Sequence, residues 1–195
     1  MTVTAVRAIG TRVPMPTEPQ HLRLDVLGPP VFSIVAYGAP ATQGSISFKG
    51  LNRRGKPIMV ASGDKDLNRW RGAVAGAAIA ALPSGWQPLD GPLVMDLIVS
   101  VPRLASLPKT LRRVPDTKPD LDKLARAAGD ALGTDTKAAH RPVITEDSRI
   151  TAYRRLEKVF AGDPYDPDAL RAPGAVIRLW RYPPAYLDRM EAIRG

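Results

Sequence analysis

The feature that most constrains this chain is the run Pro92–Val101, PLVMDLIVSV, bounded by Gly91 and Pro102. Its β-branched density and length are those of a buried strand. A membrane span needs roughly 18 consecutive apolar residues, and the other apolar run, Ala73–Leu82, is Ala- and Gly-rich and also too short. A buried strand requires a sheet around it, and the sequence offers partners. Val31–Tyr37 is a short β-branched and aromatic run ending at Gly38, and Ile150–Phe160 and Ala175–Tyr182 also read as strands. Two segments carry helical periodicity instead. In Asp64–Leu82, Leu67, Trp70, Val74, Ala77 and Ala81 recur at three- and four-residue steps, with Ser62 as a candidate cap and Pro83 and Gly85 as the stop. In Asp120–Leu132, the clearest helix, Leu121, Leu124, Ala128 and Leu132 share one face. Gly38–Lys56, rich in Gly, Ser and basic residues, suits a loop or a loosely paired hairpin, and residues 133–147 a loop. Strands and helices intermixed around one sheet imply an α/β or α+β fold.

A chain of 195 residues is long enough for one core and short for two, so a single small domain is expected. Residues 1–30, with prolines at 14, 16, 19, 29 and 30 and no sustained periodicity, read as a flexible N-terminal extension. The domain then occupies 31–182, and 183–195 form a C-terminal tail. The N-terminus lacks the compact apolar segment of a signal peptide, so the expected compartment is the cytoplasm, with no membrane partner.

Composition narrows the chemistry. There is no cysteine, and only His21 and His140 are present. Thiolate catalysis, disulfides and Cys- or His-rich metal sites are excluded, leaving a hard cation held by carboxylates and water as the remaining metal chemistry. A net charge of +9 points to a polyanionic partner, because Lys and Arg gain affinity by releasing counterions from phosphates. The excess is clustered. Residues 38–72 hold seven basic and two acidic side chains, and residues 103–118 hold five basic residues against Asp116 alone. Residues 163–195 balance to zero. Clusters of this kind suit a binding surface rather than general solubility.

The segment most informative about chemistry is Lys118-Pro119-Asp120-Leu121-Asp122-Lys123-Leu124. Pro119 disfavours helix at Lys118, which puts Asp120 at or near the N-cap and Asp122 in the first turn, where carboxylates are favoured. Simple capping explains such a pair by itself. At a strand-to-helix junction, however, both carboxylates can converge on one cation. A second acidic pair, Glu146-Asp147, stands directly before a strand. Alone it reads as an exposed turn. Three carboxylates from two segments make an Mg²⁺ or Mn²⁺ site, completed by water and a substrate phosphate. Asp122, Arg126 and Asp130 follow at four-residue steps opposite the leucine stripe. The spacing allows both an ion-pair ladder worth roughly 0.2–0.5 kcal/mol per pair and a site in which Arg126 offsets charge on a reacting phosphate. Two other matches fail. Gly50–Lys56 begins like a P-loop, but Pro57 stands where the Ser/Thr is required. The Asp-x-Asp of nucleotide-sugar transferases lacks any accompanying nucleotide-binding half.

Together these residues resemble the RusA family of Holliday-junction resolvases. Lys118–Leu124, Asp130-Ala131-Leu132 and Ile144-Thr145-Glu146-Asp147-Ser148-Arg149-Ile150 are similar to its pattern KPDxDNLxKxxxDAL…ixDDxxI, and Gly38-Ala39-Pro40-Ala41-Thr42-Gln43-Gly44-Ser45 to an upstream segment near its first strand. The resemblance covers roughly residues 31–182. It implies a single small domain with a mixed β-sheet packed by helices, a homodimer, and Mg²⁺-dependent paired nicking of four-way DNA junctions. The implied metal ligands are Asp120, Asp122 and Asp147, with Glu146 and Asp130 ranked below them. In two places the chain departs from the pattern: Lys123 stands for Asn, and Arg126 for Lys. Arg keeps the charge but presents a planar fork and stays protonated. Lys49, Arg53, Arg54, Arg112, Arg113, Lys118 and Lys123 are the expected DNA contacts. A phage or prophage setting is implied by the family alone. Two other readings remain at this stage, a flap- or fork-directed nuclease and a non-catalytic basic DNA-binding protein.

Overall fold

The structure, a computed structural model, describes residues 27–42, 46–61, 64–105, 107–108, 114–133, 141–184 and 186–188. Its elements in chain order are β1 (Phe32–Tyr37), β2 (Ile46–Leu51), β3 (Pro57–Ala61), α1 (Asp64–Ala81), β4 (Leu93–Val101), α2 (Leu121–Leu132), β5 (Ile150–Phe160) and β6 (Gly174–Arg181). A single 3-10 turn, Asp147–Arg149, leads into β5. Four strands form one mixed sheet in the order β1-β6-β4-β5. β4 runs parallel to β5 and antiparallel to β6, and β6 is antiparallel to β1. Parallel neighbours need a long crossover connection, and α2 supplies it between β4 and β5. The mixed α+β architecture expected from the sequence is the one observed.

The run that opened the sequence argument is a central strand, buried at all nine positions of β4. One face packs beneath the helices. Leu67, Trp70 and Val74 of α1 and Leu124 and Ala128 of α2 meet Phe32 and Ile34 of β1, Leu97 of β4 and Ile177 of β6 in the main core. The α1 stripe drifts from the expected one, because 3.6-residue periodicity brings Ala78 into the core and leaves Ala81 exposed. Edge strand β1 alternates, with Phe32, Ile34 and Ala36 inward and its other residues outward, as a strand covered on one side should. Of the two forms expected for Gly38–Lys56 the hairpin is the one found, and it runs on past Lys56: β2 and β3 form their own two-stranded sheet. Asn52 organises its tip, where the side-chain oxygen accepts from the backbone N–H groups of Arg54 at 2.9 Å and Lys56 at 3.0 Å. The proposed cap Ser62 lies outside the described residues.

The other face of the sheet is covered by the connection between β5 and β6. Ala169 and Leu170 pack on Ile98, Val159 and Val176, and the Leu170 N–H donates to the Ser100 hydroxyl at 2.8 Å. This face also holds Asp96, a wholly buried carboxylate in the middle of β4. It accepts from Arg154 Nε at 3.0 Å, from a second Arg154 nitrogen, and from the Arg155 backbone N–H at 3.1 Å. Arg178 stands 3.6 Å away and pairs with Asp168, which Arg155 also reaches at 2.7 Å. The Arg178 guanidinium holds the Asp168 carboxyl below its ordinary range. The Arg154 guanidinium lies 4.1 Å from the Trp180 ring centroid, a favourable cation–π geometry. Removing Asp96 would leave Arg154 without its ion-pair partner and the Arg155 backbone N–H without its acceptor. Asp96→Ala is therefore expected to cost about 3 kcal/mol of stability. Urea denaturation measures it, and an unchanged midpoint would show that the network contributes nothing net.

Candidate active site

The helix α2 and the two segments that touch its ends build the site. Asp120 occupies the N-cap in extended conformation (φ −71°, ψ 137°), yet its side chain makes no capping hydrogen bond. Its carboxylate instead meets Lys123 Nζ at 2.9 Å, one turn along. The Lys123 ammonium, by hydrogen bond and by charge, holds the Asp120 carboxyl below its ordinary value, and Asp120 in turn raises Lys123. Asp122 follows in the exposed first turn and Arg126 on the next, also exposed. Among the described residues, Arg126 forms no ion pair with Asp122 or Asp130, so the four-residue ladder is not formed. Asp130 belongs to a different contact, an ion pair with Arg71 of α1 that joins the two helices. That pairing gives Asp130 a role in packing.

Asp147 reaches α2 from the other side. A Cβ placed on Gly129 would lie 3.4 Å from the Asp147 Cβ, and one on Gly133 would lie 3.6 Å from its backbone nitrogen. Small residues on α2 thus let the acidic turn lie against the helix. Residues 122, 126 and 129 fall within a narrow angular range on a 3.6-residue helix, so Asp122, Arg126 and Asp147 line one exposed stripe. Asp122 and position 129 are about 10 Å apart along the axis. Among the described residues, no three His, Cys, Asp or Glu side chains gather closely enough to hold a metal ion. Glu146 turns toward Ser148, accepting from its hydroxyl at 3.0 Å.

Two anchors that sequence reasoning missed hold these segments in place. The acidic turn is tied down by Asp90, whose carboxylate accepts from the Thr145 hydroxyl at 2.9 Å and pairs with Arg149 Nε at 2.8 Å. The Thr145 hydrogen bond is the main reason the Asp90 carboxyl sits below its ordinary value, followed by the Gly91 N–H and by Arg149 and Arg181. The backbone adds to this anchor: Val143 and Ile144 donate to the Leu132 carbonyl, and Thr145 donates to that of Leu89 at 3.0 Å. At the other end, Lys158 of β5 donates to the carbonyls of Thr117 at 2.7 Å and Pro119 at 2.8 Å. No local pattern flags either anchor, since Asp90 and Lys158 act on segments distant in sequence. Burial, and secondarily the charge on Asp147, raise the hydroxyl of Tyr153, which sits behind the turn on β5.

Of the expected DNA contacts, Arg53 and Arg54 are exposed at the hairpin tip and Lys118 is exposed just before α2. Lys49 lies on β2. Lys123 is committed to Asp120, and Arg112 and Arg113 lie outside the described residues. Among the described residues, no helix is long and apolar enough to cross a membrane.

Residues 48–165 match the family described as Endodeoxyribonuclease RusA. The match covers more than half of the chain, and the protein belongs to that family of endodeoxyribonucleases, which acts on branched DNA junctions. The matched span holds both halves of the site and the hairpin. Strands β1 and β6 lie outside it, although they complete the same sheet. No curated protein of similar sequence matches the chain.

The geometry makes two predictions. In a carboxyl titration followed by NMR, Asp120 should ionise below the usual Asp range, and Lys123→Gln should return it toward that range. A depressed folded-state value means that the pair stabilises the fold above the ordinary Asp range and ceases to do so as pH falls through the depressed value. At position 129, alanine fits in ordinary contact with Asp147. Gly129→Ala should therefore raise stability by about 0.5–1 kcal/mol, whereas Gly129→Leu should lower the melting temperature by pushing the acidic turn away.

Proposed function

We propose that this member of the RusA family is a Mg²⁺-dependent resolvase that cuts four-way DNA junctions by paired, symmetric nicks. The observation that carries the reading is the exposed stripe of Asp122, Arg126 and Asp147 along α2, with the exposed cation Lys118 just before the helix. A hard divalent cation fits this donor set: Mg²⁺ is usually held by one or two carboxylates, with waters and substrate phosphates completing its shell. Asp122, Asp147 and, once released from Lys123, Asp120 would hold it after drawing together, since in the unliganded chain they are spread along α2. When bound, the ion supplies Lewis-acid polarisation of a phosphoryl oxygen and acidification of water. Mn²⁺ suits the same ligands.

The protein's own contribution is electrostatic and positional. Arg126 presents a permanent cation beside the carboxylates, placed to offset charge that grows on the phosphate in the transition state. Arg53 and Arg54 at the hairpin tip, with Lys49, Arg112, Arg113 and Lys118, contact the DNA backbone and orient it. A homodimer would set two such sites about a twofold axis, matching two cuts across a symmetric junction. Family membership favours this enzyme over a non-catalytic DNA-binding protein. A flap- or fork-directed nuclease would use the same chemistry on another DNA shape.

Labelled four-way junctions, flaps and duplexes, each incubated with Mg²⁺ and with EDTA, test the proposal. Symmetric metal-dependent nicks on the four-way junction are expected, and cutting confined to flaps would reassign the substrate. Asp122→Asn should abolish cutting while leaving junction affinity largely intact, and Arg126→Ala should slow cutting by about 10²-fold. Wild-type cleavage by Asp122→Asn would remove that residue from the site.

A further inference from the structure

We infer that Lys158 is a positioning residue of the nuclease site, tethering the chain that enters α2 to the sheet and thereby aiming Asp120 and Asp122. The inference rests on the assignment of those carboxylates in the proposed function. Residues 114–119 form neither strand nor helix, so no ladder satisfies their backbone groups. Lys158 reaches up from β5 and gives two of its three ammonium donors to the carbonyls of Thr117 and Pro119, at 2.7 and 2.8 Å. The second of these belongs to the residue just before Asp120. On its other side, β5 is in register with β4, with Lys158 opposite Val99. The tether therefore refers the start of α2 directly to the central strand.

Packing does not duplicate this restraint. Beside the same stretch lies a solvent-open pocket of about 380 Å³, lined by Val114, Pro115 and Leu121 with Lys158 and the acidic Glu157, Asp163 and Asp166. Close-packed side chains resist displacement, whereas a void leaves room for it. Of the loop's apolar side chains only Pro115 is buried while Val114 is exposed, so packing restrains the stretch at one point and the two charged hydrogen bonds restrain it next to Asp120. Lys158 is half-buried, with its ammonium directed at main-chain oxygens. Its effect on cleavage accordingly runs through the placement of the carboxylates. No contact with DNA is invoked.

The test uses the full chain with Lys158→Met and Lys158→Arg, read in three ways: amide hydrogen exchange over residues 114–124, single-turnover junction cleavage across a Mg²⁺ series, and junction affinity in Ca²⁺. In Lys158→Met, exchange over 114–124 should rise while the rest of the sheet stays protected. Its cleavage rate should fall about 10- to 100-fold, as expected for misplaced catalytic groups, with junction affinity nearly unchanged. Lys158→Arg, which still donates to carbonyls, should restore most of both properties. Unchanged exchange in Lys158→Met overturns the inference. So does a loss of affinity that tracks the loss of rate, since Lys158 would then be a phosphate contact. Should Lys158→Met fail to fold, Lys158→Gln carries the same comparison. If the wild-type protein cuts no junction, the proposed function fails by itself, and the exchange measurement still decides whether the tether exists.

Discussion

The structure depends on β4 being buried along its whole length. A strand with no solvent-facing side requires neighbours at both edges and cover on both faces. Parallel pairing with β5 and antiparallel pairing with β6 provide the edges. The helices cover one face, and the β5–β6 connection covers the other through Leu170 and the Asp168 ion pairs. The parallel pairing has the largest consequence, because it obliges the chain to cross over from one end of β4 to the other end of β5. That crossover is α2, and the candidate site lies on it.

The placement of the candidate site's residues follows from this geometry. Asp120 and Asp122 enter α2 where the chain arrives from β4, while Asp147 meets the far half of the helix just before β5 begins. The carboxylates are therefore spread along a helix, and each end needs its own anchor: Lys158 at the start, and Asp90 with Arg149 at the acidic turn. Charge is balanced locally in the same economical way. Lys123 neutralises Asp120, Arg71 neutralises Asp130, and Asp122, Arg126 and Asp147 remain exposed on one face. Of these, the Lys123 pair is half exposed and weak by nature, so a cation or a phosphate competes with it readily.

Much of this was legible in the sequence, and for identifiable reasons. Strands β1, β4, β5 and β6 and both helices follow from apolar periodicity and from breakers such as Gly91, Pro102, Pro83 and Pro119, all of which act locally. The spacing from Lys118 to Ile150 carried the family, and residues 48–165 match it. The same spacing could not tell capping from catalysis at Asp120, nor a ladder from a site at Arg126. Those alternatives differ only in what a side chain meets in space.

The sequence by itself determined the four strands of the main sheet and the two helices, that any metal would be a hard cation held by carboxylates, and that a polyanionic partner was to be expected. These properties are set by residue type and short-range order. Only the tertiary structure decided that Asp120 pairs with Lys123 rather than capping α2, that Asp130 joins Arg71 in packing, and that Asp96 is buried among arginines. It alone revealed Lys158 and Asp90 as anchors. Each of these contacts except the Lys123 pair joins residues dozens of positions apart, and their pairing follows from strand order and register, which no local pattern encodes.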